Sequence, residues 1–485
     1  MNTVLIILDV GFRNHTKILV PPICRSIEKR KITTNSKASS KSQDKQIQKN
    51  VGKNNALSEE IESESDVDSS NDFTESRDKI YSSEEEEETA QQKKLRLAKQ
   101  YLSKLEEEEA EKKADEESLK EAVASRLQHD ISEQAGKLTK QVADQILCPA
   151  ELDIKTFRGH GLPVTAIVIT PDDKFVFTAS KDCNICKWSL ETGLKVKTVK
   201  GGRKGTEDVH IGHTDHILCM AISSDGKFLV AGDMNNMVKL WNPADCSFIH
   251  KFKGHRGPVT GVSFRKGAHT LYSCSSDRVV KVWNVDELAY VETLFGHNSP
   301  ITSIDSLTRD RAITAGGSDK TVHVWKITED SQLLFHGHNA SIECVALINE
   351  GNFFTGADDS SVSLWSVLKK KPMTTVKAAH NEHGDFTGSE NWITAVSALH
   401  HTDLVASGSK DGFVRFWKCG PDFKNLKQVF KVPVTGFINS LKFSSNGDFL
   451  VAAVGQEHRM GRWWRLKEAL NGWCIIPLKS KALDT

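Results

Sequence analysis

A segment that opens with His and ends with Trp recurs six times in the last two thirds of the chain, with Gly before the histidine in five copies and a bare His380 in the sixth, and this repeat limits the possible folds more than any other feature. Its clearest copy opens with Gly296-His297 and ends with Trp325. After a longer first interval, the opening histidines are almost evenly spaced: His160, His213, His255, His297, His338 and His380. The closing tryptophans are Trp188, Trp241, Trp283, Trp325, Trp365 and Trp417. An aspartate lies six residues before the tryptophan in five copies (Asp182, Asp277, Asp319, Asp359 and Asp411), and Asp233 lies eight residues before it in the second copy.

Each copy predicts one four-stranded antiparallel unit. Runs such as Val322-His323-Val324-Trp325 are typical of half-buried strands, and the preceding aspartate supplies a tight turn. The histidine, the aspartate and an intervening Ser or Thr can form a buried line of hydrogen bonds that ends on the indole N–H. We therefore interpret the repeated residues as structural, because six equivalent histidines around a ring cannot converge on one metal ion. A regular period of about 42 residues predicts an all-β WD-repeat propeller.

A seventh, divergent unit completes the predicted ring. Residues Phe437–Val451 match the opening hairpin of the second copy, although this unit, Val434–Leu466, has no Gly-His. Trp463-Trp464 occupies the expected place of the closing tryptophan, and a strand at Ile154–Phe157 is expected to complete the last blade. The sequence therefore predicts seven blades over residues 150–480, and closure of the ring removes exposed sheet edges.

The region before the propeller divides into parts of different charge. The formal charge is zero overall, but it is about +8 over residues 1–55, about −12 over 56–88, about −1 over 89–149 and about +5 over the rest. We predict that residues 1–88 are disordered, because residues 24–55 hold hardly any large apolar side chain and the acidic stretch that follows is rich in Ser, Glu and Asp. Residues 89–147 are predicted to be helical, with an apolar stripe at Leu119, Val123, Leu127 and Ile131. This stripe is expected to pack on the propeller or on a partner.

Several functional classes find little support. The ten cysteines are interpreted as reduced core residues, and Cys183 and Cys186 as part of a turn and strand rather than a metal or redox site. No stretch is long and apolar enough for a membrane span. His380, His383 and Asp385 lie close in sequence, but no rigid element is expected to hold them around a metal. No nucleophile with its base and no phosphate-binding loop stands apart from the repeat, so we expect neither an enzyme nor a cofactor.

Three stretches resemble one family of WD-repeat proteins. They are Glu88–Leu102, Tyr290–His297, and Gly436–Ser445 continuing through Gly455–Arg465. These segments closely resemble the U3 small nucleolar RNA-interacting WD-repeat family of the small-subunit processome. The resemblance covers roughly residues 80–480, whereas residues 1–50 match only in being basic.

The resemblance implies a non-enzymatic component of a box C/D ribonucleoprotein in the nucleolus. Such a protein would recognise the B/C element of U3 small nucleolar RNA together with the kink-turn-binding protein. It would share the particle with fibrillarin and the Nop-family core proteins, and would support early cleavages of precursor rRNA toward the 18S species. A preformed propeller face with Arg and Lys agrees with this, because such side chains contact phosphates and leave the reading of sequence to RNA shape.

The divergent last blade carries the predicted RNA-binding residues. Basic side chains stand where the other blades need only a short turn, and two neighbouring segments add to them. The predicted contacts are Lys442, His458, Arg459, Arg462 and Arg465, with Lys410 and Arg415 of the preceding blade. The alternative is that Arg462 and Arg465 pair with carboxylates such as Glu457 or Glu468 and cap an irregular blade. The basic loop Lys200–Gly205 is interpreted first as an elongated surface loop and second as a phosphate contact.

A protein-recruitment scaffold is the alternative function. A propeller can serve as the substrate receptor of a ubiquitin ligase or as a reader of chromatin peptides, because one fold hosts many functions. Those roles need a ligase-docking motif or an acidic pocket for a basic tail, and neither is evident in the sequence.

Overall fold

The computed structural model describes Arg96, Lys99, Leu127 and residues 140–206, 210–381 and 391–479. These residues form seven four-stranded antiparallel sheets arranged as the blades of a propeller. The predicted disordered region, most of the predicted helical extension, and His383 and Asp385 lie outside the described residues. Arg96, Lys99 and Leu127 are in helical conformation.

The strands follow the repeat closely. A 3-10 helix, Glu151–Asp153, and strand β1, Lys155–Arg158, precede the first complete blade. Blade 1 comprises β2 (Val164–Ile169), β3 (Phe175–Ser180), β4 (Ile185–Ser189) and β5 (Lys195–Val199). Blade 2 comprises β6 (Ile217–Ile222), β7 (Leu229–Asp233), β8 (Val238–Trp241) and β9 (Phe248–Phe252). Blade 3 comprises β10 (Val259–Phe264), β11 (Thr270–Ser275), β12 (Val279–Asn284) and β13 (Ala289–Phe295).

The second half of the ring repeats this order. Blade 4 comprises β14 (Ile301–Ser306), β15 (Arg311–Gly316), β16 (Thr321–Lys326) and β17 (Ser331–His336). Blade 5 comprises β18 (Ile342–Asn349), β19 (Asn352–Ala357), β20 (Val362–Ser366) and β21 (Thr374–Val376). Blade 6 comprises β22 (Ala395–Ala398), β23 (Leu404–Gly408), β24 (Phe413–Cys419) and, after a 3-10 helix at Pro421–Phe423, β25 (Leu426–Pro433). Blade 7 comprises β26 (Phe437–Phe443), β27 (Phe449–Gly455), β28 (Gly472–Pro477) and β1.

The hydrophobic core is divided into seven layers, each of which lies between two neighbouring blades. The layer between blades 7 and 1, for example, joins Val451 and Trp473 to Val164, Ile167 and Trp188. Equivalent layers separate every other pair. Because each sheet is covered on both faces, its inner strands are almost continuously buried rather than alternately buried and exposed.

The predicted line of polar side chains is confirmed in most blades. In blade 4, His297 Nδ1 lies 2.9 Å from Asp319, its Nε2 lies 2.7 Å from Thr314 Oγ1, and Trp325 donates to the same hydroxyl at 2.8 Å. The same hydroxyl bridge joins histidine and tryptophan in blades 1, 3, 5 and 6, through Thr178, Ser273, Thr355 and Ser407. The repeated histidines are therefore structural in these blades.

Blade 2 lacks the hydroxyl. His213 contacts Asp233 at 2.8 Å, but Ala231 occupies the position that Ser273 has in blade 3. As a result, His213 Nε2 and Trp241 Nε1 are buried without a hydrogen-bond partner in the described part of the chain. Such unpaired buried polar atoms are costly.

The ring closes through the first strand of the chain. Strand β1 pairs antiparallel with β28, with Lys155 opposite Ile475 and Arg158 opposite Gly472. The expectation that a strand near Ile154–Phe157 completes the last blade is confirmed. The expectation that Trp463-Trp464 closes blade 7 is wrong, because the third strand of that blade starts only at Gly472. Ile476 pairs with Leu450 as Trp241 pairs with Leu229, so Ile476 fills the closing position.

A short segment, residues 140–148, with a turn at residues 143–145, packs on blades 6 and 7 before β1. We call it the strap. Lys140 forms a parallel bridge with Thr402, and the backbone amides of Val142 and Ala143 donate to one carboxylate oxygen of Asp403 at 2.7 and 3.0 Å. Ala143 is fully buried. The predicted helix does not extend over these residues. The amides of Lys140, Val142 and Ala143 donate to blade 6 and that of Leu147 donates to Lys479, while Gln145 donates to Val142 in a single turn.

Candidate nucleic-acid interface

The two ends of the propeller carry different loops. The segments around the repeated histidines and the turns between second and third strands lie at one end, which we call the top face, because the histidine contacts the aspartate of its turn in five blades. The turns between first and second strands, and the strap, lie at the opposite end, the bottom face. The face on which a basic residue lies follows from its position in its blade.

Blade 7 carries a long connection on the top face. Residues 456–471 join β27 to β28, where blades 1 to 6 have a short turn, and we call them the blade-7 insertion. It contains four Arg or Lys and two Glu, so its formal charge is +2. The sequence predicts the basic residues of this insertion as RNA contacts, but it does not predict the contacts that the insertion makes with other blades.

Buried ion pairs fix the base of the insertion to blade 1. Glu457 is only 3% exposed and lies 3.7 Å from the ammonium group of Lys181. Lys181 also donates to the carbonyl oxygen of His458 at 2.6 Å. Arg462 approaches the same carboxylate through Nε at 2.8 Å, while most of its side chain remains exposed. Two cations share one buried carboxylate, so this cluster keeps a positive charge at the surface.

Arg459 extends from the insertion into the mouth of the central channel. Its guanidinium donates to the carbonyl oxygens of Thr302 in blade 4 and Glu343 in blade 5, at 2.9 and 3.3 Å. The channel behind it forms a cavity of about 460 Å³ lined by the innermost strands. Burial raises the pKa of the nearby Glu343 carboxyl, and the positive charge of Arg459 opposes that rise. Arg459 thus connects blade 7 to the far side of the ring.

An aromatic cluster lies beside this mouth. Trp392, from the segment before blade 6, packs against Trp463 and Trp464 with ring centroids 5.6 and 4.9 Å away. His458 lies 5.5 Å from the Trp463 ring. The Lys410 ammonium group lies 3.9 Å from the centre of the Trp464 ring, a cation–π geometry. Burial lowers the pKa of Lys410.

Four of the seven predicted RNA-binding residues have side chains positioned on the top face or at its channel mouth. Arg462 and Arg465 are exposed, Lys410 is half-buried, and Arg459 lies in the channel mouth. Arg465 pairs with the neutral Gln456, at 3.1 Å, so its charge is not compensated by that contact. Arg462 pairs with Glu457, as the alternative expects, while most of its side chain is exposed.

The other three residues are buried or lie away from the top face. Arg415 and His458 are each 2% exposed, and Arg415 donates to Asp411 and Gln428 inside blade 6. Burial lowers the pKa of His458 to about 3, so this side chain is neutral. Lys442 is exposed but stands five residues along β26 from its top-face end, roughly 16 Å away. The seven residues therefore do not share one surface.

Other chemistries find no support in the described residues. The nine cysteines there have free thiols, seven of them buried, and no group of three potential metal ligands occurs in those ranges. No helix in the described ranges is long and apolar enough to cross a membrane. The basic loop Lys200–Gly205 lies on the top face, where Lys204 is 3.6 Å from Asp215.

Comparisons with known proteins agree with this architecture. The WD domain, G-beta repeat family matches residues 152–189, 206–242, 246–284, 289–326, 330–366 and 381–418. The human U3 small nucleolar RNA-interacting protein 2 is 58% identical over 398 residues, which cover 81% of this chain and 83% of the human protein. Ribosomal RNA-processing protein 9 of Saccharomyces cerevisiae is 25% identical over 82% of this chain and 91% of its own length.

Solved structures match the propeller. A crystal structure of RRP9 WD40 repeats is 52% identical and superposes with a TM-score of 0.66, covering 69% of this chain and all of that chain. A structure of U3-55K is also 52% identical, with a TM-score of 0.65, and covers 68% of this chain and all of its own.

Proposed function

The chain belongs to the U3 small nucleolar RNA-interacting WD-repeat family, and we propose on this premise that it is a non-catalytic RNA-binding component of the U3 small nucleolar ribonucleoprotein. In this role it binds the box B/C region of the RNA together with the kink-turn-binding protein. It acts in the nucleolus, beside fibrillarin and the Nop-family core proteins, within the small-subunit processome. There it supports early processing of precursor rRNA toward 18S rRNA.

The blade-7 insertion is the observation that carries the proposal for this chain. Two exposed arginines, Arg462 and Arg465, lie on a loop held in place by buried contacts to blades 1, 4 and 5. A loop anchored in this way presents cations without a large ordering cost. Arginine contacts to phosphates position a protein on RNA and release counterions.

The remaining predicted residues differ in their roles in this proposal. Lys410, at the edge of the aromatic cluster, adds a third cation to the top face. Arg459 and His458 hold the insertion in place through their contacts with Thr302 and Trp463. Arg415 stabilises blade 6 by pairing with Asp411. Lys442 is a candidate contact only if RNA also reaches the bottom face.

Salt-dependent binding tests the proposal. The full chain would be titrated against a box B/C stem preassembled with its kink-turn-binding protein, at several salt concentrations. We expect Arg465→Gln to weaken binding and to reduce the slope of log affinity against log salt by about one. The matched control is Lys227→Gln, an equally simple loss of charge at an exposed bottom-face turn. Lys442→Gln tests the bottom face directly.

Two results would contradict the proposal. If the unaltered chain does not bind the RNA complex but retains protein partners, the protein is a recruitment scaffold. If Arg465→Gln and Lys410→Gln leave the salt slope unchanged while Lys442→Gln lowers it, RNA binds the bottom face and the insertion has another role.

A further inference from the structure

One tryptophan differs from all the others in its exposure. All ten tryptophans lie in the described part of the chain, and seven of them are at most 4% exposed. Trp392 and Trp464 are half-buried, whereas Trp463 is 58% exposed. Since removing a large apolar ring from water is favourable, an exposed tryptophan in an aromatic cluster beside charged residues points to a ligand that covers it.

The Trp463 ring is held in one position. Trp392 packs against it at 5.6 Å with an interplanar angle of 59°, and His458 lies at 5.5 Å and 37°. On another side, the ring lies against the backbone of Gly461, where a Cβ atom would come within 3.0 Å of the indole. A side chain at this position would displace the indole by a few tenths of an ångström. A ring fixed in this way loses little conformational entropy when a ligand stacks on it.

Positive charge flanks the exposed ring on both sides in sequence. Arg462 uses Nε to contact Glu457, and its side chain is 71% exposed. Arg465 is exposed two residues after the ring and contacts only the uncharged Gln456 among the described residues. The surface thus combines a flat apolar ring with guanidinium groups whose charge is not fully compensated.

Nucleotides match this combination better than apolar peptides do. A base offers a π-face for stacking, and the phosphates on either side of it carry the charge that arginines neutralise. Bases inside a duplex cannot expose a face, so the ligand must be an unpaired nucleotide in a loop, bulge or single strand. We propose that Trp463 is a stacking platform for one unpaired nucleotide of the bound RNA, flanked by phosphate contacts from Arg462 and Arg465. This inference rests on the proposed function.

The test separates stacking from charge. We expect Trp463→Ala to weaken RNA binding by about 5- to 150-fold, the range for loss of one stacked base, and Trp463→Phe to retain most of the affinity. The salt slope should not change in Trp463→Ala, because stacking releases no counterions, whereas Arg465→Gln lowers it. Phe295→Ala, which removes an aromatic ring 72% exposed on blade 3, is the matched control.

The RNA itself supplies a second, independent measurement. Each unpaired nucleotide of the B/C stem would be replaced in turn by an abasic residue. At the nucleotide that stacks on Trp463, the abasic change and Trp463→Ala should together cost no more than either alone. Thermal unfolding of the variants establishes that the fold is retained.

The outcomes are distinguishable. If the unaltered chain binds no RNA, the proposed function and this inference both fail. If it binds RNA, but Trp463→Ala binds equally well and no abasic position is coupled to it, only the stacking inference fails. If Trp463→Ala keeps its RNA affinity and instead loses the kink-turn-binding protein, the exposed ring is a protein contact and the inference is overturned.

Discussion

Restoring the missing hydroxyl of blade 2 should stabilise the propeller. In blade 3, Ser273 accepts from Trp283 and contacts His255, both at 2.8 Å. Blade 2 has Ala231 at the equivalent register position, and two buried nitrogens are unpaired there as a result. We expect Ala231→Ser to supply a partner to both atoms at once.

The protonation state of His213 allows it to bond to the serine introduced by Ala231→Ser. Burial lowers the pKa of His213, so its ring is neutral, and its Nδ1–H donates to Asp233. The Nε2 lone pair is then free to accept from a serine hydroxyl, whose oxygen accepts in turn from the Trp241 indole. Two new hydrogen bonds at about 1 kcal/mol each should raise the free energy of unfolding by about 2 kcal/mol. For a propeller of roughly 330 residues, this corresponds to a Tm increase of about 3 °C.

Three variants measured together make the test decisive. Urea unfolding followed by fluorescence, with calorimetry for Tm, would compare Ala231→Ser with its reverse counterpart Ser273→Ala, which should lose a similar amount. Ala231→Cys controls for added volume, because a thiol is a weak hydrogen-bonding group. If Ala231→Ser is neutral or destabilising while Ser273→Ala is costly, the unpaired nitrogens of blade 2 are satisfied in another way and the reasoning is refuted.

Three further predictions concern the channel, the strap and pH. Arg459→Met should lower the free energy of unfolding, measured in urea, by about 1–3 kcal/mol, because it removes the hydrogen bonds to blades 4 and 5. The control Arg465→Met should change that free energy by less than about 0.5 kcal/mol. Equal effects of the two substitutions would contradict a structural role for Arg459. Asp403→Ala should increase hydrogen exchange of the two strap amides by at least about tenfold, and unchanged protection would show that the strap is held by other contacts. Burial lowers the pKa of His338 to about 4, so the unfolded chain binds a proton below pH 6.5 that the folded chain binds only near pH 4. Stability should therefore fall as the pH decreases from 6.5 to 4, and His338→Gln should reduce that fall in urea titrations at pH 7 and 5, while the same change at exposed His336 should not.

The six regular blades could be predicted from sequence because their signal is local. Most blades place the histidine, aspartate, hydroxyl and tryptophan at similar spacings, and the hydrogen bonds that join them stay within one repeat. The closing position of blade 7 was misassigned for the opposite reason. The insertion places two tryptophans before β28, and only strand register identifies Ile476 as the equivalent residue.

The candidate site could be predicted only in part. The excess of basic residues in the insertion is a composition signal, and it located Arg462 and Arg465 correctly on an exposed surface. The direction of Arg459 depends on blades 4 and 5, which lie far earlier in the chain, and no local pattern encodes such a contact. Arg415 is buried and pairs with Asp411, the carboxylate that also contacts the repeat histidine His380. A count of charges along the sequence does not reveal this pairing. The exposure of Trp463 likewise could be seen only in the folded structure.

The pairing of β1 with β28 has a consequence for synthesis of the protein. The ribosome produces Lys155–Arg158 before all of blades 1 to 6 and produces Gly472–Pro477 after them, so the first strand has no partner until nearly the whole chain has emerged. Blades 1 to 6 can form one after another in the meantime, since each is built from consecutive residues. Until the last blade is made, the nascent propeller is an open arc in which blades 1 and 6 each expose one apolar face and β1 is unpaired. A transcript shortened before β28 would therefore yield a chain with six formed blades that cannot close, a natural substrate for chaperones and for quality-control proteolysis.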